Sequence, residues 1–497
     1  MKKRSSGLLL HITSLPGYEG IGTLGEHAFK FIDFLKETGQ LWWQILPLGP
    51  VGYGDSPYQC YSAFGGNPML IDLKELMKWG LLEKNSLIEP PRCKKSKVEF
   101  SQIASWKYPL LRRAYHAFSE NESQELRNEY RRFLKENSWW LNDYTLFMAA
   151  KKHFGGTPWH EWEKDLKFRE PGSYEKYTHL LEDEVDFRKF LQFCFFRQWS
   201  ALKNYAAQNG IGIIGDLPLY VSTDSADVWT NPDLFILDRN LMPEKIGGVP
   251  PDYFSETGQL WGNPVYNWGR IRERDFDWWI ARIHFNLRLF DMIRIDHFRG
   301  LESFWSVDAG ENTAVKGTWE KASGFELMDK LRRQIGELPF IAEDLGFITP
   351  EVRKLRMDFN LPGMKILQFA FSSDEKNEYL LHNHSPDFIV YTGTHDNDTT
   401  RSWFKNSSEK DRKMITQYLP ACRGNISHRL IQAAWSSVAI VAIAPLQDLL
   451  NLKGDARMNM PGTPSGNWVW RFCWKQLKNK HTEFLKEITE KYNRMNC

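Results

Sequence analysis

The sequence lacks several features that would assign it to a membrane, secreted or metal-binding class. Its 497 residues include six cysteines, with no CxxC pair and no cysteine-histidine cluster at metal-ligand spacing, so neither a disulfide framework nor a metal site is predicted. No apolar run reaches the roughly 18 residues that a membrane helix needs. The basic start is followed by an apolar stretch of only Leu8 to Leu10, too short for a secretory signal. We expect a cytoplasmic protein that uses no metal or other cofactor.

Charge and motif content argue against nucleic-acid and nucleotide binding. The chain carries 64 Lys and Arg against 62 Asp and Glu. A protein that binds polyanions usually has a clear excess of basic residues, which this chain lacks. Gly210, Gly212 and Gly215 have the spacing of a dinucleotide-binding loop, but a helix-like segment precedes them and Pro218 follows where a helix should begin. We predict no nucleotide site there. The acidic run at 182–186 is interpreted as a solvated helix start.

Aromatic residues are abundant, at 14% of the chain, with 21 Trp, 18 Tyr and 32 Phe. Most aromatic side chains fill protein cores. A surplus also fits a carbohydrate-binding protein, because the apolar faces of sugar rings stack on flat side chains while their hydroxyls bond to polar neighbours.

Strand-like and helix-like segments alternate along the chain, which predicts an α/β fold with a parallel sheet. The chain contains eight short apolar runs bounded by turn-forming residues. Eight is also the number of strands in a (β/α)8 TIM barrel. These candidate strands are Gly7 to Thr13, Leu41 to Leu48, Ile211 to Val221, Met292 to Phe298, Phe340 to Leu345, Lys365 to Phe371, Phe388 to Thr394 and Val438 to Ala444.

Two intervals are too long for ordinary connections within a barrel. Residues 72–209 show helical periodicity, strongest in Leu126 to Phe154 and in Phe187 to Ala207, and we interpret them as a helical insertion packed on the barrel. Residues 231–268 are rich in Pro, Gly, Asp and Trp with little periodicity. Loops of that length usually have a function, so we expect an irregular active-site insertion at the C-terminal face.

Three carboxylates, Asp296, Glu343 and Asp396, each follow one of the predicted strands. The C-terminal ends of the strands form the catalytic face of a (β/α)8 barrel, so these acids are expected to meet there. Arg294 precedes Asp296 and His395 precedes Asp396. Burying several acids close together without a chemical role costs stability, and we interpret the three as a catalytic set.

The chain resembles the 4-alpha-glucanotransferases called amylomaltase or disproportionating enzyme, which form glycoside hydrolase family 77. The resemblance extends over nearly the whole chain and implies a single catalytic barrel domain over residues 1–497 with no C-terminal β-sandwich. The segments that carry it are Gly54–Gln59, Gly215–Val221, Gly248–Pro264, Arg294–Gly300, Ala342–Gly346, Thr394–Asn397 and Asn459–Trp468.

The resemblance also implies roles for individual residues. Asp296 corresponds to the nucleophile, Glu343 to the general acid and base, and Asp396 to the transition-state stabiliser. Arg294 is expected to keep Asp296 ionised, and His395 to bond sugar hydroxyls. Further residues expected to line the glucan cleft are Ser56, Tyr58, Asp216, Asp252, Phe254, Gln259, Trp261 and Asn459. Tyr53 matches an aromatic residue of a second glucan site.

The expected activity is retaining transfer of α-1,4-glucan segments between maltooligosaccharides or to glucose, through a covalent glycosyl-enzyme. We further hypothesise that the Val249 to Trp261 loop covers this intermediate and favours transfer over hydrolysis. Two alternatives remain open at this point: a hydrolase or debranching enzyme on the same scaffold, and a non-catalytic starch-binding protein that has kept the fold. Donor length, cyclic products and oligomeric state are not indicated by the sequence.

Overall fold

The computed structural model describes residues 3–87, 90, 94–120, 123–251, 255–419, 424–463 and 465–495, without the side chains of residues 53, 86 and 87. Among these residues, no helix combines the length and apolar character that a membrane crossing requires. The strands run in the order β1 Ser5–Leu9, β2 Trp42–Gln44, β3 Gly212–Leu217, β4 Lys245–Val249, β5 Gln259–Pro264, β6 Met292–Ile295, β7 Ser303–Asp308, β8 Gly317–Lys321, β9 Phe340–Ala342, β10 Gly363–Ile366, β11 Phe388–Tyr391 and β12 Val441–Pro445.

Eight of these strands form a parallel sheet in the order β10, β11, β12, β1, β2, β3, β6, β9. Each of them overlaps one of the eight predicted strands. The (β/α)8 fold class is confirmed. Every residue of β1, β6, β9, β10, β11 and β12 is buried. Burial on both faces explains why these strands appear in the sequence as short, continuous apolar runs.

The barrel closes at a seam between β9 and β10. One backbone hydrogen bond crosses it, from the Ala342 amide to the Pro362 carbonyl at 2.9 Å. The carboxylate of Asp344 adds a second link by accepting the Met364 amide at 2.8 Å. A Cβ atom on Gly363 would lie 2.4 Å from the Asp344 carboxylate, so this close approach requires glycine.

Helices surround the barrel and fill the interval between β2 and β3. The two longest predicted helices are confirmed by α4 and α7, and the acidic run at 182–186 occupies the first turns of α7. The helices are α1 Glu26–Glu37, α2 Leu73–Lys78, α3 Phe100–Glu120, α4 Gln124–His153, α5 Lys164–Lys167, α6 Ser173–Leu180, α7 Glu182–Gln208, α8 Ala226–Thr230, α9 Trp268–Glu273, α10 Asp277–Leu289, α11 Gly324–Ile335, α12 Pro350–Asp358, α13 Thr400–Asn406, α14 Glu409–Tyr418, α15 Ile426–Ser436, α16 Leu446–Leu449 and α17 Asn479–Lys491.

A second sheet of four antiparallel strands, in the order β5, β4, β7, β8, lies outside the barrel. Its first two strands fall within residues 231–268, so that interval is not irregular throughout as the sequence predicted. The pattern was missed because β4 and β5 contain glycines and a bulge, and because their partner β7 follows the barrel strand β6. The sheet places Gln259 and Trp261 beside the strand ends of the barrel.

Candidate functional site

The three predicted acids all follow barrel strands at their C-terminal ends. Ile295 of β6 pairs with Ala342 of β9, so Asp296 and Glu343 are the next residues on two neighbouring strands. Asp396 follows β11 after a short turn, and its charge acts on the pKa of Asp296. The structure therefore brings together the three carboxylates that the sequence placed at separate strand ends.

Arg294 joins two carboxylates from neighbouring strands. Asp216 of β3 pairs in register with Arg294 of β6, and side chains two residues apart on a strand share a face, so Asp296 lies on the same side. The Arg294 guanidinium donates to both oxygens of Asp216 at 2.7 and 2.8 Å and to Oδ1 of Asp296 at 2.8 Å. Tyr58 donates its hydroxyl hydrogen to Asp216 Oδ2 at 2.7 Å. Asp216 and Arg294 lie in the middle of this chain of hydrogen bonds and are almost fully buried, which strengthens the bonds.

Asp296 is the more accessible end of this polar chain. Its side chain is 29% exposed, whereas that of Asp216 is 0% exposed. Arg294 occupies Oδ1, and no described residue donates a hydrogen bond to Oδ2. Arg294 thus holds one carboxylate oxygen of Asp296 in place, and the other accepts no hydrogen bond from the part of the chain that the structure describes.

Backbone amides hold the carboxyl group of Glu343. His297 adopts a left-handed backbone conformation with φ of 51°, and its amide donates to Glu343 Oε2 at 2.7 Å. The amide of Leu345 donates to Oε1 at 3.2 Å. Because His297 directly follows Asp296, the turn that carries one acid also orients the other.

The two neighbouring acids titrate at different pH. Burial raises the pKa of Glu343 to about 8, the charges of Asp296 and Asp344 add to the rise, and the Arg294 cation opposes it. Burial also raises the pKa of Asp296 to about 6, again against the effect of Arg294. Burial is the largest cause of the raised pKa of Glu343, ahead of the charges of the neighbouring acids. At neutral pH Glu343 therefore holds a proton and Asp296 is ionised.

Asp396 is anchored by residues from the last part of the chain. Asn459 donates its side-chain amide to Asp396 Oδ1 at 2.6 Å, and the ring Nε2 of His395 lies 3.4 Å from Oδ2. The backbone amide of Asn459 donates to the His395 carbonyl at 3.0 Å, and the Arg457 side chain donates to the Asp396 carbonyl at 2.5 Å. These bonds tie the turn after β11 to residues 457–459.

An aromatic group lies beside this turn. The rings of Tyr58 and His395 are stacked with centroids 5.1 Å apart, and Trp468 lies within 5.7 Å of Tyr58 and 5.9 Å of His395. The Ser56 hydroxyl accepts the Tyr58 amide at 3.2 Å, which fixes the loop that carries the ring. Ser56 and Tyr58, both predicted to line the cleft, are thereby linked to the acid groups.

Residues of β5 lie on another side of the candidate site. The indole of Trp261 lies edge-on to the His297 ring at 4.7 Å, and its N–H donates to the Gln259 side chain at 3.4 Å. Of the predicted site residues, Asp252, Phe254 and the side chain of Tyr53 lie outside the described part of the chain.

Three residues that hold the site together were not singled out from the sequence, namely His297, Arg457 and Trp468. His297 and Trp468 do belong to the segments Arg294–Gly300 and Asn459–Trp468, so their motifs pointed to the site although their contacts did not. Arg457 acts through its bond to a backbone carbonyl, which leaves no signal in a single sequence. Within the described ranges, no group of three or more His, Cys, Asp or Glu side chains could hold a metal ion.

A parallel barrel with acids at neighbouring strand ends and aromatic walls beside them is typical of enzymes that act on glycosidic bonds. The sequence matches the family described as 4-alpha-glucanotransferase over residues 10–476. It is 50% identical over 498 residues to a 4-alpha-glucanotransferase of Synechocystis sp., with 99% of each chain covered. Identity to the 4-alpha-glucanotransferase of Thermus thermophilus is 46% over 500 residues, again covering 99% of both chains.

The fold is also similar to a solved structure, the amylomaltase from Streptococcus agalactiae in complex with acarbose. The two superpose with a TM-score of 0.97 at 41% identity, covering 99% of this chain and 100% of the other. The chain belongs to the 4-alpha-glucanotransferase family, glycoside hydrolase family 77, and is an enzyme of that family.

Proposed function

We propose that this enzyme transfers α-1,4-glucan segments between maltooligosaccharides, or to glucose, by a retaining mechanism with a covalent glycosyl-enzyme intermediate. The observation that carries the proposal is the pair of acids that directly follow β6 and β9. Asp296 is ionised with one open oxygen, and the neighbouring Glu343 is protonated at neutral pH. A retaining enzyme needs a nucleophile and a proton donor in this arrangement.

In the first step, Oδ2 of Asp296 attacks the anomeric carbon of the donor glucan. The bond between that carbon and the glycosidic oxygen breaks, and Glu343 gives its proton to the departing oxygen. Arg294 holds Oδ1 of Asp296 during the attack, so the nucleophile cannot rotate away. The products are a shortened glucan with a free 4-hydroxyl and a sugar esterified to Asp296.

In the second step, the ester bond is replaced by a new glycosidic bond. Esterification removes the negative charge of Asp296, so the pKa of Glu343 falls and its carboxylate becomes available as a base. Glu343 then takes the proton of an acceptor 4-hydroxyl, whose oxygen attacks the anomeric carbon as Asp296 leaves. Two inversions at that carbon give net retention.

Asp396 and His395 are proposed to bind hydroxyls of the reacting sugar. Asn459 fixes one oxygen of Asp396, which leaves a partly exposed carboxylate for charge and hydrogen bonding in the transition state. Tyr58, Gln259 and Trp261 are proposed to line the cleft with Asp216 and Ser56. Cys60, Cys194 and Cys473 are free thiols, which supports a reducing compartment such as the cytoplasm.

Incubation with maltotriose alone tests the activity. We expect a ladder of longer and shorter glucans with little net gain of reducing ends, because each transfer makes one glycosidic bond for each one broken. Chromatography of the products together with a reducing-end assay measures both quantities. Steady accumulation of glucose and maltose with a matching rise in reducing ends would instead identify a hydrolase, and an unchanged substrate would identify a binding protein.

The pH dependence of kcat/KM is expected to be bell-shaped with a maximum near neutrality. Activity should fall below about pH 6 as Asp296 gains a proton, and above about pH 8 as Glu343 loses its proton. Initial rates on maltotriose from about pH 4 to about pH 10 measure both limbs. A rate that stays flat on the alkaline side would show that Glu343 is not the proton donor.

A further inference from the structure

A second aromatic group lies outside the cleft already described. The guanidinium of Arg299 is stacked on the ring of Trp319 at 3.7 Å from its centroid and lies 6.0 Å from the ring of Phe347. Arg299 also donates a hydrogen bond to the Phe347 carbonyl. Arg299 itself is buried, so its cation supports the Trp319 ring directly, and its bond to the Phe347 carbonyl holds the backbone that carries the second ring.

Both rings reach the solvent although they are large and apolar. Phe347 is 75% exposed and Trp319 is 39% exposed. Trp319 is further supported by its cross-strand partner Trp305, whose ring lies 5.2 Å away and whose indole N–H donates to the Ala314 carbonyl at 2.9 Å. Exposed aromatic rings contribute little to the stability of the fold, so rings that are both exposed and firmly supported indicate a binding surface.

The position of these rings connects them to the acids. Arg299 follows Asp296 by three residues, and Phe347 follows Glu343 by four, a length of chain that spans at most about 14 Å. Trp319 belongs to the same small sheet as Trp261 of the cleft wall. Short segments of chain therefore connect Arg299 and Phe347 to the two acids, and Phe347 lies on the segment that carries Glu343.

We infer that Trp319 and Phe347 form an acceptor platform, a surface that binds glucose units of the acceptor glucan beyond those at the reacting bond. This inference rests on the proposed function. The flat apolar face of a glucose ring fits an exposed aromatic ring, and successive units of an α-1,4-glucan offer such faces repeatedly. Glu343 gives its proton to the departing glucan and takes it from the arriving one, so both chains lie on its side of the site.

The test compares short and long acceptors at a fixed concentration of maltosyl fluoride as donor. In Phe347→Ala and Trp319→Ala, the KM for maltohexaose as acceptor should rise about tenfold, while the KM for glucose and kcat stay within about twofold of the unchanged protein. Phe347→Tyr keeps a flat ring and should restore the KM for maltohexaose. The matched control is Phe325→Ala on α11, where an aromatic ring that is 49% exposed packs on Phe359 and no change is expected.

Three outcomes would overturn the platform. The first is an unchanged KM for maltohexaose in both alanine variants. The second is an equal rise for glucose and maltohexaose, which would indicate a disturbed reaction site. The third is self-association of the unchanged protein that Phe347→Ala abolishes, which would assign the surface to a second copy of the chain.

A binding measurement tests the platform independently of the proposed transfer activity. If the unchanged protein transfers to neither acceptor, calorimetric titration with maltohexaose still decides the platform. Binding that is about tenfold weaker in Phe347→Ala supports it, and equal binding in the two proteins overturns it.

Discussion

Replacing Asp296 with asparagine is expected to lower kcat for maltotriose by about 10⁴-fold or more, the scale seen when a catalytic nucleophile is removed. The neutral amide cannot form the glycosyl ester, and it cannot form the ion pair that the Asp296 carboxylate makes with Arg294. Maltotriose binding should persist, with a Kd within about threefold, because the cleft wall is unchanged. Rapid-quench kinetics and calorimetric titration measure the two quantities.

A matched control is Asp308→Asn, which changes an exposed aspartate at the end of β7 that pairs with Lys245 on the surface. Full activity is expected there. Mass spectrometry of the unchanged protein quenched during turnover should detect a glycosyl group on a peptide containing Asp296. Retained turnover in Asp296→Asn would assign the nucleophile to another residue.

Replacing Glu343 with glutamine is expected to lower kcat for maltotriose by about 10³-fold or more, since general acid and base catalysis contributes on the order of 10²- to 10⁴-fold in each step. The loss should be much smaller for the first step with maltosyl fluoride. Fluoride departs without protonation, so formation of the glycosyl-enzyme no longer needs an acid. A fluoride electrode records this step directly.

Two comparisons make the assignment of Glu343 specific. Asp296→Asn should release no fluoride, because the nucleophile is needed with either donor. Glu351→Gln at the exposed start of α12 should behave as the unchanged protein. Equal loss of Glu343→Gln activity on maltotriose and on maltosyl fluoride would argue that Glu343 does not act as the proton donor.

The barrel strands could be predicted because burial on both faces gives each a continuous apolar run, as in Phe388–Tyr391. The second sheet could not be predicted in the same way. Its strand β4 contains adjacent glycines and pairs with β7, which lies beyond an intervening barrel strand. Pairing between distant segments of weak strand propensity leaves no local pattern to detect.

The acids of the site were predictable from their position after apolar runs, but their states of ionisation were not. Arg294 was expected to serve Asp296, whereas in the structure it also binds Asp216, and that sharing depends on the register of β3 and β6. The high pKa of Glu343 comes first from burial. Burial at a strand end is a property of the packed barrel, which no neighbouring residues in sequence reveal.

The seam between β9 and β10 has a consequence for the behaviour of the protein at high concentration. A sheet edge with free amides is a template on which another chain can add a strand and begin to aggregate. At this seam, the Asp344 carboxylate already accepts the Met364 amide, and the Pro362 carbonyl accepts the Ala342 amide. Because these two bonds already use the Met364 and Ala342 amides, another chain has fewer free amides to pair with where β9 meets β10.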